Sequence, residues 1–301
     1  MYAVIGANGY LGSYVIKNIL EQTTESVIAT AMRIDRAKTQ ERVTWQYCDV
    51  TNEQSVEQLT DCLKAAEEPI KIIYLAAFHH PDEVQKNQGQ AWNINVTSLS
   101  KFLEIIIDRE CCQTLVYSST DSVYGESEGM YHFVETDQLN PVNFYGHCKC
   151  AAEALAVHIG YSAVRFPFLI SPSLVYKPHF YDQIVETVKS GENMEMFQDS
   201  YRSSLSFDNA AFLLVKAIED GRYFDVMNIC GDRDLSKYDV GLLVASRENI
   251  DKSKIVPVNM KDKVQANFVS KRAASTLMSN KKIKEMLSIQ KIDIFDKPIF
   301  C

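Results

Sequence analysis

Two rhythms of apolar and polar positions alternate along the first half of the chain. Short apolar runs at 2–5, 26–32, 43–47, 70–76, 113–118 and 161–166 read as buried strands. Between them, near 10–21, 52–67, 90–108 and 143–159, apolar residues recur at three- and four-residue spacing, which predicts helices. Leu11, Val15, Ile19 and Leu20 share one face of the first helix, and Thr51 reads as the N-cap of the second. Strand alternating with helix at this spacing predicts an α/β fold, a doubly wound Rossmann-type parallel sheet with right-handed crossovers.

After residue 166 the rhythm breaks. Pro167, Pro172 and Pro178 punctuate a loop-rich stretch, and helical patterns follow near 180–190, 208–220 and 236–248. The expected organisation is a dinucleotide-binding domain over 1–166 and a smaller C-terminal substrate lobe over 167–301, with room for the chain to cross back.

The turn after the first strand, Gly6-Ala7-Asn8-Gly9-Tyr10-Leu11-Gly12, has the spacing that brings backbone close to a pyrophosphate at a helix N-terminus. Gly6, Asn8, Gly9, Tyr10, Leu11 and Gly12 of this turn are expected cofactor contacts. A nicotinamide dinucleotide is therefore the expected cofactor. The second strand ends Ala29-Thr30-Ala31-Met32-Arg33, with Asp35 displaced and Arg36 following. A guanidinium can fork onto a 2′-phosphate, so NADP is favoured, with NAD the alternative. Asp49 and Val50 end the third strand, where a carboxylate can accept from the adenine amino group. Leu75, Ala76 and Ala77 end the fourth, small enough for backbone to pass the cofactor.

Tyr145 and Lys149 stand at i and i+4, on one helical face. A neighbouring cation favours phenolate and lets a tyrosine exchange protons near neutrality. One crossover upstream, Ser118-Ser119-Thr120 places hydroxyls where they can bond the same carbonyl oxygen. The set predicts an enzyme acting at a carbonyl.

These motifs, in order, resemble the extended short-chain dehydrogenases/reductases of the sugar-nucleotide epimerase/dehydratase branch, over essentially the whole chain. Asn95-Val96, Ser119-Thr120-Asp121-Ser122-Val123-Tyr124-Gly125 and Arg165-Phe166-Pro167-Phe168 add to the match. The resemblance implies that Thr120 binds the substrate carbonyl, Tyr145 is the acid/base, and Lys149 holds the nicotinamide ribose and tunes Tyr145. It also implies cofactor contacts from Ser118 and Phe168 and substrate contacts from Thr120, Asp121, Ser122 and Arg202.

The second half is most similar to the dTDP-4-dehydrorhamnose reductases, through Phe197-Gln198-Asp199-Ser200-Tyr201-Arg202-Ser203 and Gly231-Asp232-Arg233-Asp234-Leu235-Ser236-Lys237-Tyr238. Two positions depart from that pattern: Arg33 replaces an acidic residue, and Ser122 replaces a tyrosine. The expected activity is NADP(H)-dependent reduction of a keto group on a nucleotide-activated sugar. The alternatives are epimerisation of a sugar nucleotide, or a non-catalytic, dinucleotide-binding regulatory subunit of the same fold. Family dimers pair the helices near 90–108 and 143–159, which implies a homodimer.

Composition narrows the partners. The net charge of −8, with scattered basic residues, argues against a nucleic-acid partner. No apolar run approaches the ~20 residues of a membrane span. The start of the sequence leaves no room for a signal peptide, so a cytoplasmic location is expected. None of the eight cysteines forms a Cys-x-x-Cys pair, and reduced thiols are expected. His79 and His80 are adjacent and diverge, so no metal site is expected; they suit a loop at the edge of the cofactor cleft.

Overall fold

The computed structural model describes residues 1–34, 40–260, 262 and 268–301. Its core is a seven-stranded parallel sheet. Strands β1 (Tyr2–Ile5), β2 (Val27–Ala31) and β3 (Val43–Tyr47) form one half, interleaved with helices α1 (Tyr10–Gln22) and α2 (Glu53–Lys64). The other half begins with β4 (Lys71–Tyr74), followed by α3 (Pro81–Lys86), α4 (Gln88–Trp92) and α5 (Ser98–Asp108). Then come β5 (Thr114–Thr120), the short β6 (His132–Phe133), α6 (Phe144–His158) and β7 (Ser162–Phe166).

The order across the sheet is β3-β2-β1-β4-β5-β7-β10, so the direction of winding reverses between β1 and β4. In open parallel sheets the carboxyl ends of the strands beside such a reversal form a ligand crevice. Residues with no sequence proximity thereby come to one edge: Gly6 after β1, Arg33 after β2, Leu75 after β4, Thr120 at the end of β5 and Phe168 after β7.

Beyond β7 lie α7 (Phe180–Lys189), β8 (Met194–Phe197), β9 (Tyr201–Arg202), α8 (Phe207–Asp220) and β10 (Val226–Asn228). The remainder is β11 (Leu235–Ser236), α9 (Lys237–Arg247), β12 (Ile255–Val258), β13 (Leu277–Met278), α10 (Lys281–Leu287), β14 (Ile289–Lys291) and β15 (Ile299–Phe300). The chain re-enters the central sheet after residue 167, because β10 pairs with β7 and α8 packs on α1. One core joins α1, α8 and one sheet face, through Val15, Ile19, Leu214 and Ile218. A second lies between the opposite face and α2, α5 and α6, through Leu59, Phe102, Tyr117 and Ala152. A third gathers Ile184 of α7, Met196 of β8 and Val244 of α9.

Two local expectations need correcting. The N-cap of α2 is Asn52, whose side chain accepts from Ser55 N at 3.0 Å, not Thr51. The Thr51 hydroxyl donates instead to Asp49 Oδ1 at 2.7 Å, so the preceding turn consumes it. The helix expected over 90–108 is three pieces, because a π-turn at Asn93–Thr97 separates α4 from α5. Within that turn Asn95 grips the loop after β4, accepting from Phe78 N at 2.7 Å and donating to Phe78 O at 3.0 Å.

Candidate active site

The glycine-rich turn is built by contacts that tolerate no side chain. Gly6 has φ +84°, and a Cβ there would stand 2.8 Å from Ala76 N. A Cβ on Gly12 would stand 2.6 Å from Ala7 O. The N-cap of α1 is Gly9, which brings no side-chain oxygen, so the first-turn amides stay available to an anion. This cradle fits a dinucleotide pyrophosphate.

Around it, Asn8 and Arg33 are exposed, while Leu11 and Leu75 pack against the core under α1. Asp35 and Arg36 lie outside the described residues. Tyr10 reaches across the crevice, its hydroxyl donating to Pro178 O at 2.9 Å and its ring meeting His179 edge-on at 4.6 Å. Asp49 is held in the turn before α2, where Oδ1 accepts from Thr51 N and Oγ1. Val50 packs on the second core, as does Ala76. Ala77 continues the same loop, partly exposed.

The chemical residues come from α6 and the end of β5. Asn143 caps α6 by accepting from Gly146 N at 2.9 Å. Helix α6 packs on β5 and on the 3₁₀ turn Asp121–Val123. Gly146 permits that approach, since a Cβ at this position would stand 2.6 Å from Ser122 O. Deeper in, Glu153 of α6 pairs with buried Arg165 of β7, Oε1 to Nη2 at 2.5 Å, tying the helix to the sheet. Breaking such a buried pair costs about 3–5 kcal/mol.

Thr120 Oγ1 donates to Asp121 Oδ1 at 3.0 Å and accepts from Ser122 N at 3.2 Å. Asp121 is 6% exposed, and its Oδ2 has no hydrogen-bond partner, though Arg202 Nε stands 3.4 Å away. Burial raises the Asp121 carboxyl above its ordinary value, against the lowering effect of Arg202.

Tyr145 and Lys149 complete the chemical residues, one turn apart on α6. Desolvation raises the Tyr145 phenol well above the ordinary value, and the Asp121 charge adds to the rise. These surroundings favour the protonated phenol over the phenolate. Lys149 is 3% exposed, and burial pushes its ammonium down to about 7. It donates to Ser118 O and lies 4.2 Å from the centroid of the Tyr117 ring.

On the substrate side, Arg202 is fixed by carbonyls: Nη1 donates to Tyr201 O at 2.7 Å and Ala274 O at 2.8 Å, and Nη2 to Ala273 O at 2.8 Å. It brings charge to the crevice but few free donors. Arg233 is exposed before β11. Tyr124 is a core residue, its ring stacked 4.8 Å from Phe133 and its hydroxyl donating to Asn228 Oδ1 at 2.9 Å.

A residue that sequence patterning does not single out is Lys237, the first of α9. Its ammonium lies over the Phe168 ring and has no hydrogen bond or ion pair among the described residues. Desolvation and the nearby Arg202 hold its titration far below the ordinary lysine value. The only sequence signal is its place directly after Ser236, which caps α9 by accepting from Asp239 N at 3.0 Å. Among the described residues no cluster of His, Cys, Asp and Glu could hold a metal ion.

Comparison with known proteins agrees with the fold. The family model described as the RmlD substrate binding domain matches residues 2–294. The chain is 22% identical over 262 residues to methionine adenosyltransferase 2 subunit beta from Danio rerio, covering 85% of this chain and 76% of that one. It is 26% identical over 233 residues to the probable low-salt glycan biosynthesis reductase Agl14 from Haloferax volcanii, covering 73% and 72%. A solved dTDP-4-dehydrorhamnose reductase from Bacillus anthracis, in complex with NADP, has a TM-score of 0.78 at 19% identity, covering 97% of this chain and 94% of that one. The chain belongs to the RmlD substrate-binding-domain family.

Proposed function

We propose that this protein is an NADP(H)-dependent reductase of a keto group on a nucleotide-activated sugar. The observation that carries the reading is the close packing of α6, with Tyr145 and Lys149, on the turn that follows Thr120 at the end of β5, near enough for the Asp121 charge to act on Tyr145. The cofactor, when bound at the glycine-rich turn, supplies the hydride. Thr120 donates a hydrogen bond to the substrate carbonyl oxygen, and Tyr145 delivers the proton that the oxygen takes up. Lys149 anchors the nicotinamide ribose and, while charged, steadies the tyrosinate left behind. Arg202 lends positive potential to the sugar diphosphate, and Arg33 faces the cofactor's 2′-phosphate.

Ser122 argues for simple reduction. Eliminating water needs a further acid or base beside Asp121, and a serine hydroxyl is far too weak an acid for that work. The enzyme works in the cytoplasm as a homodimer. Support comes from the unbridged cysteines and from exposed Trp92, Ile107 and Ile159 on or beside the helices around α5 and α6. No helix among the described residues is long and apolar enough to cross a membrane.

The test is to mix the protein with NADPH and a panel of nucleotide keto sugars, following absorbance loss and product mass. A gain of two hydrogens supports the reading, and loss of one water overturns it. Tight NADPH binding with no turnover on any keto sugar favours a regulatory subunit, the reading suggested by the likeness to the methionine adenosyltransferase subunit.

A further inference from the structure

We propose that Tyr117 is a positioning residue for Lys149, the face of its ring taking the place of a carboxylate in holding the ammonium charge at the floor of the crevice. The proposal rests on the reading above, in which Lys149 works as a cation.

A buried ammonium needs compensation, and the usual source is a carboxylate. Glu153, one turn along α6, is not available for that role. Both of its oxygens accept from Arg165 Nε, at 3.2 and 3.0 Å, and Oε1 also accepts from Nη2. Among the described residues Lys149 makes no ion pair. Its partners are the Ser118 carbonyl and the Tyr117 ring, whose centroid is 4.2 Å from Nζ. That is well inside the roughly 6 Å over which a ring face attracts a cation.

The ring cannot turn away. Tyr117 is 1% exposed, belongs to the core with Ala152 and Ala156, and lies 6.2 Å from the Tyr74 ring, which Phe102 meets edge-on. The other titratable groups that act on Lys149 are Cys148 and Glu153 on α6 and His79 after β4, while Tyr145 of α6 and Tyr74 of β4 act on the Tyr117 side. The carboxylate among them is the one committed to Arg165. The Glu153 charge still acts on Lys149 through space, but its oxygens are bonded to Arg165, so the ring face is the group in contact with the ammonium.

The placement matters because burial leaves Lys149 titrating at about 7. A desolvated cation–π contact corresponds to about one unit of that value. Losing one unit lowers the charged fraction at neutral pH from about a half to about a tenth.

The experiment keeps the ring's shape and drains its face. Tyr117→Phe is compared with variants carrying one, two or three ring fluorines on a phenylalanine at the same position. The Lys149 side chain is titrated by heteronuclear NMR, its resonance assigned by its loss in Lys149→Met, and NADPH binding is followed against pH by fluorescence. Tyr117→Phe is expected to leave the midpoint within about 0.3 unit. Successive fluorines should lower it stepwise, by about one unit in all, with the alkaline limit of NADPH binding moving alongside and the melting temperature unchanged. A midpoint that ignores the series overturns the proposal. The titration uses no sugar and no turnover, so an error in substrate class would leave its result standing.

Discussion

Replacing Lys149 by methionine should make the protein more stable, and by an amount that depends on pH. The ammonium is 3% exposed, and burial moves its titration from the ordinary 10.5 to about 7, a fall of about 3.5 units. At 1.36 kcal/mol per unit, charging this lysine costs the folded state up to about 5 kcal/mol. The folded value is the lower one. Below pH 7 both states carry the proton and the folded chain bears the whole cost. Between pH 7 and 10.5 the unfolded chain binds more protons than the folded one, so stability rises with pH, by about 1.4 kcal/mol per unit. Methionine has similar reach and nothing to titrate.

The advantage of Lys149→Met over the parent should therefore shrink by about 3 kcal/mol between pH 6 and pH 9. Losses that do not depend on pH, such as the bond to Ser118 O, cancel in that difference. Urea unfolding of both proteins at pH 6, 7.5 and 9 measures it. Parallel stability curves for the two proteins would refute the claim that an unpaired, desolvated charge sits at this position.

Three further outcomes are expected. Tyr145→Phe should lower kcat by at least ~10²-fold with little change in NADPH affinity, and a mutant that keeps most of its turnover shows that another group gives the proton. Gly146→Ala puts a Cβ 2.6 Å from Ser122 O, so it should cost about 1–3 kcal/mol in urea unfolding and depress kcat as α6 is pushed from the β5 turn; unchanged kcat and stability would mean the approach is not needed. NADPH should bind about ten- to a hundredfold more tightly than NADH if Arg33 bonds the 2′-phosphate, and equal affinities by fluorescence titration refute that role.

The first half of the fold was legible because each element carries its own periodic signal. All six expected strands of the central sheet lie where the apolar runs stand, within a few residues at each end. The seventh, β10, is three residues long, too short to show alternation, and its place is set by pairing with β7. The π-turn at Asn93–Thr97 was invisible for another reason. It adds one residue to a helical turn without breaking the apolar spacing, and its cause is the remote Phe78 backbone that Asn95 holds. Two-residue pairings such as β9 with β11, which set Arg202 beside Leu235, carry no pattern at all.

The candidate site divides along the same line. Glycine spacing and the i, i+4 pair of Tyr145 and Lys149 are local signals and could be read directly. What governs their protonation is not local. Lys149 is 32 residues along the chain from Tyr117, the ring that faces its charge, and 12 residues part Glu153 from Arg165, to which both of its carboxylate oxygens are bonded. Sequence reasoning pairs Tyr145 with a cation and expects its phenol lowered. The protein's own surroundings act against that lowering, through desolvation and the Asp121 charge 24 residues upstream. A motif therefore fixes which groups meet, while the order of their proton affinities is decided by neighbours supplied by other strands. In this chain that order favours the proton on tyrosine and sets Lys149 titrating at about 7, so the proposed reduction would begin from a phenol that holds its proton beside a lysine whose charge depends on its neighbours.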